Sequence, residues 1–271
     1  MAHAKVPGAH KDRLEAMQGA IRRMFADMND GLREHRLEFA GQTSAPRGIG
    51  AFLSRFDAIF SLNQDLFLEQ AYLGEVVKQS SPSRWNGSEL AGMTRIRQSG
   101  HDQEGWADDL WSPIADASAR PTANLQPYFK LHGSSNWITR EGQQLLIMGG
   151  EKAKEIRLHP ILDRYASLFR EHLVGVDARL MVIGYGFRDG HINDVIKLAA
   201  QGERLRMFII DPQGADIAYS LNETSGHNRV YVKSALEEAF EATLVGASRR
   251  TLGETFGRDR IEQQKVLRFF E

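Results

Sequence analysis

Three short polar segments follow apolar runs in this chain, and each carries residue types suited to ligand binding or proton transfer. In SLNQDLFLE the run AIFSL, Ala58 to Leu62, leads into Asn63, Gln64 and Asp65. Such residues at the start of a helix either cap it, by accepting from N–H groups that have no intrahelical partner, or orient a polar ligand. KLHGSSNW sets His132 at a strand end with Gly133 and Ser134 behind it. A histidine titrates close to neutral pH, so it serves as a general base or hydrogen-bonds within its loop. VIGYGFRDGHIND places Gly184, Gly186 and Gly190 between an apolar run and a helical one. This spacing is one residue longer than the dinucleotide fingerprint. Its glycines let backbone approach a ligand closely at a helix N-terminus, or they make a tight turn. MFIIDP ends at Asp211, roughly 20 residues further on, where a carboxylate accepts ribose hydroxyls or opens an Asp-Pro turn. Gly149 and Gly150, ahead of Lys152, make a phosphate cradle or a hinge.

The elements that must position these groups are read from periodicity. Leu14, Met17, Ile21, Met24 and Met28 recur at steps of three and four, which predicts a core-packing helix beginning near His10. A second helix is expected over residues 49–56, and helical residues follow AIFSL. AIFSL, YFKLHG, QLLIM, RLMVIG, RMFIIDP and VYV near Tyr231 read as strands, short and apolar as in a buried parallel sheet. Residues 151–173 read as helix with a break at His159-Pro160, HINDVIKLAA as another helix, and SALEEAFEATL as a third, capped by Ser234 with Glu237 three positions on. Strands alternating with helices predict an α/β fold, a Rossmann-like, doubly wound, mostly parallel sheet with helices on both faces. Ligands of such sheets bind outside the carboxyl ends of the strands, where the polar segments lie. The chain is expected to be one α/β domain over 1–271. An irregular or helical insertion is expected at about 78–126, carrying Trp85, Trp106 and Trp111, and a C-terminal helical extension at about 234–271.

Composition narrows the chemistry. The 271 residues include 34 basic and 35 acidic ones, so no net field draws the molecule to nucleic acid or to anionic lipid. Arg249, Arg250, Arg258 and Arg260 cluster near the C-terminus, but Glu254 and Asp259 sit among them, which argues against nucleic acid as a direct ligand. The chain has no cysteine, and that excludes disulfides, thiol nucleophiles and zinc ribbons. No run approaches the roughly 20 apolar residues of a membrane helix, and a cytoplasmic, bacterial-type protein is expected.

Taken in order, the segments resemble sirtuin-like domains, and most closely the zinc-free sirtuin-like NADases of bacterial anti-phage defence. Those proteins carry a strand-end N-x-D motif, then an H-G motif after a strand, then a glycine loop. Here the motifs fall on Asn63 and Asp65, on His132 and Gly133, and on Gly184 to Phe187. The resemblance implies NAD as substrate or ligand and cleavage of its nicotinamide–ribose bond. It implies catalytic roles for His132, Asn63 and Asp65, and NAD contacts from Ser61, Gly133, Ser134, Gly184, Gly186, Phe187 and Asp211. It also implies a homo-oligomer or a defence-system partner protein. Two departures stand out. Protein-deacylating sirtuins hold zinc with four cysteines, and none is present, so neither zinc nor any other metal site is expected. The Gly-Ala-Gly phosphate loop that opens such domains is also missing, VPGAH at residues 6–10 being the nearest sequence, and with it the first Gly-rich βα unit. The alternative readings are a non-catalytic NAD- or ADP-ribose-binding or assembly module, N-terminally shortened, and a zinc-independent protein deacylase.

Overall fold

In the computed structural model, described at residues 8–33, 52–74, 85, 87, 89–96, 109–115, 125–202, 205–220, 233–257 and 259–271, the chain forms two compact units. The first takes in Met1–Leu37 and Phe56–Met148, the second Glu38–Arg55 and Gly149–Glu271.

The first unit opens with helix α1, Gly8–Arg33. The expected apolar face is only partly the buried one, with Ile21 and Met28 half-buried. Met17 and Met24 are 55% and 50% exposed, whereas Phe25 and Asn29 are buried. The polar Asn29 side chain sets this orientation, its Nδ2 donating to Ser135 Oγ at 3.1 Å and its Oδ1 accepting from Leu66 N at 3.0 Å. Hydrophobic periodicity is blind to an anchor of this kind.

Strand β1, Ile59–Ser61, precedes helix α2, Phe67–Gly74, and pairs in parallel with β4, Tyr128–Lys130. Between them lie β2, Met93–Ile96, and β3, Leu110–Pro113, inside the segment expected to be an irregular or helical insertion. The two pair antiparallel, and β3 runs parallel to β5, Gly133–Ile138. Trp111 and Trp137, opposite one another across that pair, are fully buried, as is Trp85, which packs on Tyr128 with ring centroids 4.6 Å apart. The burial of these indoles explains why the segment is sheet: each large ring needs a packed surface on both sides. Trp106 lies outside the described residues. After β5 a tight turn, closed by Thr139 N donating to Gln143 O at 2.7 Å, returns the chain as β6, Gln144–Leu146, antiparallel to β5. So short a connection permits only an antiparallel neighbour.

The second unit holds helices α3, Lys152–Leu158, and α4, Pro160–Leu173, broken at His159-Pro160 as expected. Strand β7, Arg179–Ile183, helix α5, Gly190–Gln201, and β8, Arg206–Ile210, follow. Helix α6, Ala235–Thr243, starts with the capping box read from Ser234 and Glu237. Within the expected C-terminal helical extension the chain instead forms a strand, β9, Leu244–Ser248, before the short helices α7, Leu252–Gly257, and α8, Arg260–Leu267. The sheet order is β7-β8-β9, all parallel. β9 escaped notice because LVGAS is short and Gly246 interrupts it; a Cβ there would meet the Phe208 ring at 2.7 Å, so the glycine is demanded by a distant side chain. Met207, Phe208, Ile209 and Ile210 are all buried, and since successive side chains point to opposite faces, the central strand β8 is covered on both. Of the described residues in the helix expected over 49–56, Phe52 and Leu53 are helical while 54–56 turn away, and Phe52 packs on Phe256 with ring centroids 4.7 Å apart. Ile261 is 81% exposed, while Val266 and Phe269 are buried. The strand expected near Tyr231, and Arg258, lie outside the described residues. Parallel pairs dominate a mixed set of sheets, which is an α/β, Rossmann-like fold. Among the described residues no strand precedes β1, and no helix is long and apolar enough to cross a membrane.

Candidate functional site

In the first unit the polar groups gather where the parallel strands β1 and β4 end. Leu131 N donates to Ser61 O at 2.9 Å, extending the pairing past both strands. Gln64 then ties the ends together: its side-chain Nε2 donates to the carbonyls of His132 and Ile147, and its backbone carbonyl accepts from Ser135 N at 2.8 Å. Three segments distant in sequence meet on this one side chain.

Beneath it lies an ion pair that the sequence did not advertise. Lys130 Nζ and Glu69 Oε1 are 2.6 Å apart, with both side chains out of contact with solvent. The same ammonium donates to the carbonyl of Asp65 and so holds the loop that carries Asn63. Burial raises the Glu69 pKa, and the adjacent Lys130 charge opposes that shift. The Tyr128 hydroxyl, beside Glu69 and Ser61, is raised well above the ordinary tyrosine value by burial and then by the Glu69 charge. A lysine inside the apolar strand YFKL, with a glutamate on the following helix face of β1, was the available sign: a buried ammonium requires a partner.

The expected residues take different stations. Asn63 is exposed, and its backbone N donates to Ser61 Oγ at 3.2 Å. Asp65 Oδ1 accepts from Phe67 N at 2.9 Å, so this carboxylate closes the turn that leads into α2. His132 is buried, and its carbonyl accepts from Ile147 N as well as from Gln64. Gly133 is required by geometry. Its φ is +75°, and a Cβ would stand 2.2 Å from the carbonyl oxygen of Leu145. Ser134 is fully buried, with no hydrogen-bond partner for its Oγ among the described residues.

In the second unit the loop after β7 is built as a rigid knot. Gly184 turns the chain with φ +63°, its N donating to Ile210 O at 2.9 Å. Phe187, a non-glycine residue at φ +51°, is held there by burial between Tyr185 and Phe240, each ring centroid 4.8 Å away. Asn193 Nδ2 donates to Phe187 O at 2.7 Å, and the Tyr185 hydroxyl lies within hydrogen-bond reach of Asn193 Oδ1 and of the Asp189 backbone. Burial raises the Tyr185 pKa, so the phenol stays protonated. Asp189, at the N-cap of α5, does not cap it with its side chain but pairs with Lys152 at 2.6 Å. His191 in the first turn of α5 has a lowered pKa, by partial burial, which favours its neutral form.

This loop fits a ligand with a phosphate or ribose. Gly184, Gly186 and Gly190 are exposed, and a Cβ at any of them would meet no other atom within 4 Å. Internal packing therefore gives Gly186 and Gly190 no reason to be glycine, and bare backbone beside a helix N-terminus is what an anion needs. At the end of β8, Asp211 Oδ1 accepts from Gln213 N at 2.9 Å, the turn that its Asp-Pro sequence foretold.

A family model described as SIR2-like domain matches residues 57–235, more than half of the chain. The chain belongs to the SIR2-like domain family. No curated protein matches it. The matched span contains every expected site residue, from Ser61 to Asp211, in both units. As a SIR2-like protein it is an NAD-binding one, and domains of this family are often NAD-dependent enzymes. β9, α7 and α8 fall beyond the match.

Proposed function

We propose that this SIR2-like protein is an NAD glycohydrolase, cleaving NAD with water to nicotinamide, ADP-ribose and a proton. The observation that supports the reading best is the presentation of Asn63. It is an exposed amide at the carboxyl end of a parallel strand, on a loop braced from below by Lys130 and from the side by Gln64. Orientation of one water against a bond that already joins a sugar carbon to a cationic leaving group is the main demand of the reaction, and rigid loops meet it. In this reading Asn63 and the second oxygen of Asp65 orient water beside the nicotinamide ribose, and neutral His132 takes a proton from the water or from a ribose hydroxyl. Ser61, Gly133 and Ser134 shape the surroundings of these groups. Gly184, Gly186 and Phe187 receive the adenosine ribose, and Asp211 accepts from its hydroxyls. NAD depletion in bacterial defence, in the cytoplasm and as a homo-oligomer or with a partner protein, is the setting that suits such an activity.

The test is nicotinamide release by the purified chain. Wild type is expected to turn NAD over, with His132→Ala and Asn63→Ala reduced at least about a hundredfold, the scale of a lost acid–base group. Equal inertness of all three would sink the enzyme. A second reading is a binding module of the same family without turnover. It predicts that NAD or ADP-ribose raises the melting temperature of a chain that releases no nicotinamide.

A further inference from the structure

The face that α1 leaves outside has a pattern of its own. Arg13, Met17, Ala20, Met24, Asp27 and Gly31 are all exposed and recur at steps of four and three, the spacing of a seam between two helices. Two of the six are large apolar side chains at least half exposed, on a helix of 26 residues. Neither Arg13 nor Asp27 forms an ion pair among the described residues.

The charges are placed symmetrically. Arg13 lies seven residues before Ala20, and Asp27 seven after. Seven residues bring a helix back to within about 20° of the same direction, and advance it by about 10.5 Å. Arg13 and Asp27 therefore stand on one face at equal distances from Ala20. We propose that this face docks on the same face of α1 in a second copy of the chain, antiparallel, about a twofold axis at Ala20. Arg13 of each copy then meets Asp27 of the other, and two ion pairs bracket the contact. The small Ala20 lets the helix axes approach closely, and the methionines on either side, flexible and polarizable, fill the flanks. A parallel arrangement would set Arg13 against Arg13 and Asp27 against Asp27, which like charges oppose. A twofold contact needs a self-complementary patch, and an unrelated partner would impose no such symmetry on one helix.

The 271-residue chain is to be examined by sedimentation over a wide concentration range. Wild type is expected to dimerise. Arg13→Asp and Asp27→Arg, each alone, juxtapose like charges twice and are expected to raise the dissociation constant at least about tenfold, with unchanged circular dichroism. Mixed together, the two variants present opposite charges at both contacts, so the mixture is expected to regain dimer that neither shows alone. Because the chain has no cysteine, geometry is read separately by single cysteines. Ala20→Cys is expected to oxidise to a covalent dimer, whereas Arg13→Cys is expected to cross-link only when mixed with Asp27→Cys. A wild type that stays monomeric, a mixture no better than its components, or Arg13→Cys cross-linking to itself would each overturn the proposal.

Discussion

Replacing Lys130 by methionine keeps length and apolar volume but leaves the Glu69 carboxylate alone in the core of the first unit. At the observed 2.6 Å the gross attraction within the pair is about 6 kcal/mol at an effective dielectric of 20. Desolvating both ions offsets most of this, so the pair itself contributes little net stability. Breaking it differs from never having had it: an unpaired buried charge costs roughly 3–5 kcal/mol. That is a large share of a typical ~5–15 kcal/mol, and the Asp65 carbonyl loses a donor as well. Denaturant unfolding of Lys130→Met should show this loss, and Lys130→Met/Glu69→Leu should recover most of it. The sign with pH follows from Glu69. Its folded pKa lies above the ordinary glutamate value of 4.5, so between that pH and the raised folded value the native state binds more protons than the unfolded one. Stability from this group is therefore present at low pH and lost as pH rises. With Lys130 gone the folded pKa climbs further, so the cost of Lys130→Met should be smaller near pH 4.5 than near neutrality. A single variant within about 1 kcal/mol of wild type, or a double variant no better than the single, would refute the argument.

Gly133→Ala should destabilise the chain by roughly 2–5 kcal/mol, from the positive φ and the clash with Leu145 O together. Gly186→Ala, with open space around it, should change unfolding by less than about 0.5 kcal/mol yet weaken NAD binding in calorimetry; equal effects of the two changes would contradict the distinction drawn between them. Asn193→Ala removes the donor to Phe187 O and should cost about 1–2 kcal/mol while lowering NAD affinity, because a residue at φ +51° loses its restraint. His191 has a depressed folded pKa, so its contribution is present above the unfolded value of 6.5 and lost as pH falls; His191→Gln should flatten the pH profile of stability in that range.

Local signals made several features legible in advance. MFII is a strand because continuous apolar side chains suit a position covered on both faces, RLMVI is its half-buried neighbour, and Ser234 and Glu237 form their capping box from contacts within one turn. The polar segments were found where a parallel sheet puts its ligands, since strand ends are marked by a change from apolar to polar residues. Of the candidate residues, Asp65 and Asp211 also make the short-range bonds that their residue type favours at such places. What escaped the sequence depends on partners far along the chain. Gln64 is an undistinguished glutamine until the carbonyls of His132 and Ile147 arrive beside it.

By itself the sequence determined the alternation of β7, α5 and β8, the helix break at His159-Pro160 and the glycine loop after β7, because each rests on neighbours within a few residues. Only the tertiary structure decided that α1 turns Asn29 inward and Met17 and Met24 outward, that β5 and β6 run antiparallel, that Gly133 has no room for a side chain, and that Lys130 is buried. These are long-range outcomes. Each is set by a hydrogen-bond acceptor, a carbonyl or a charge that periodicity along the chain does not record.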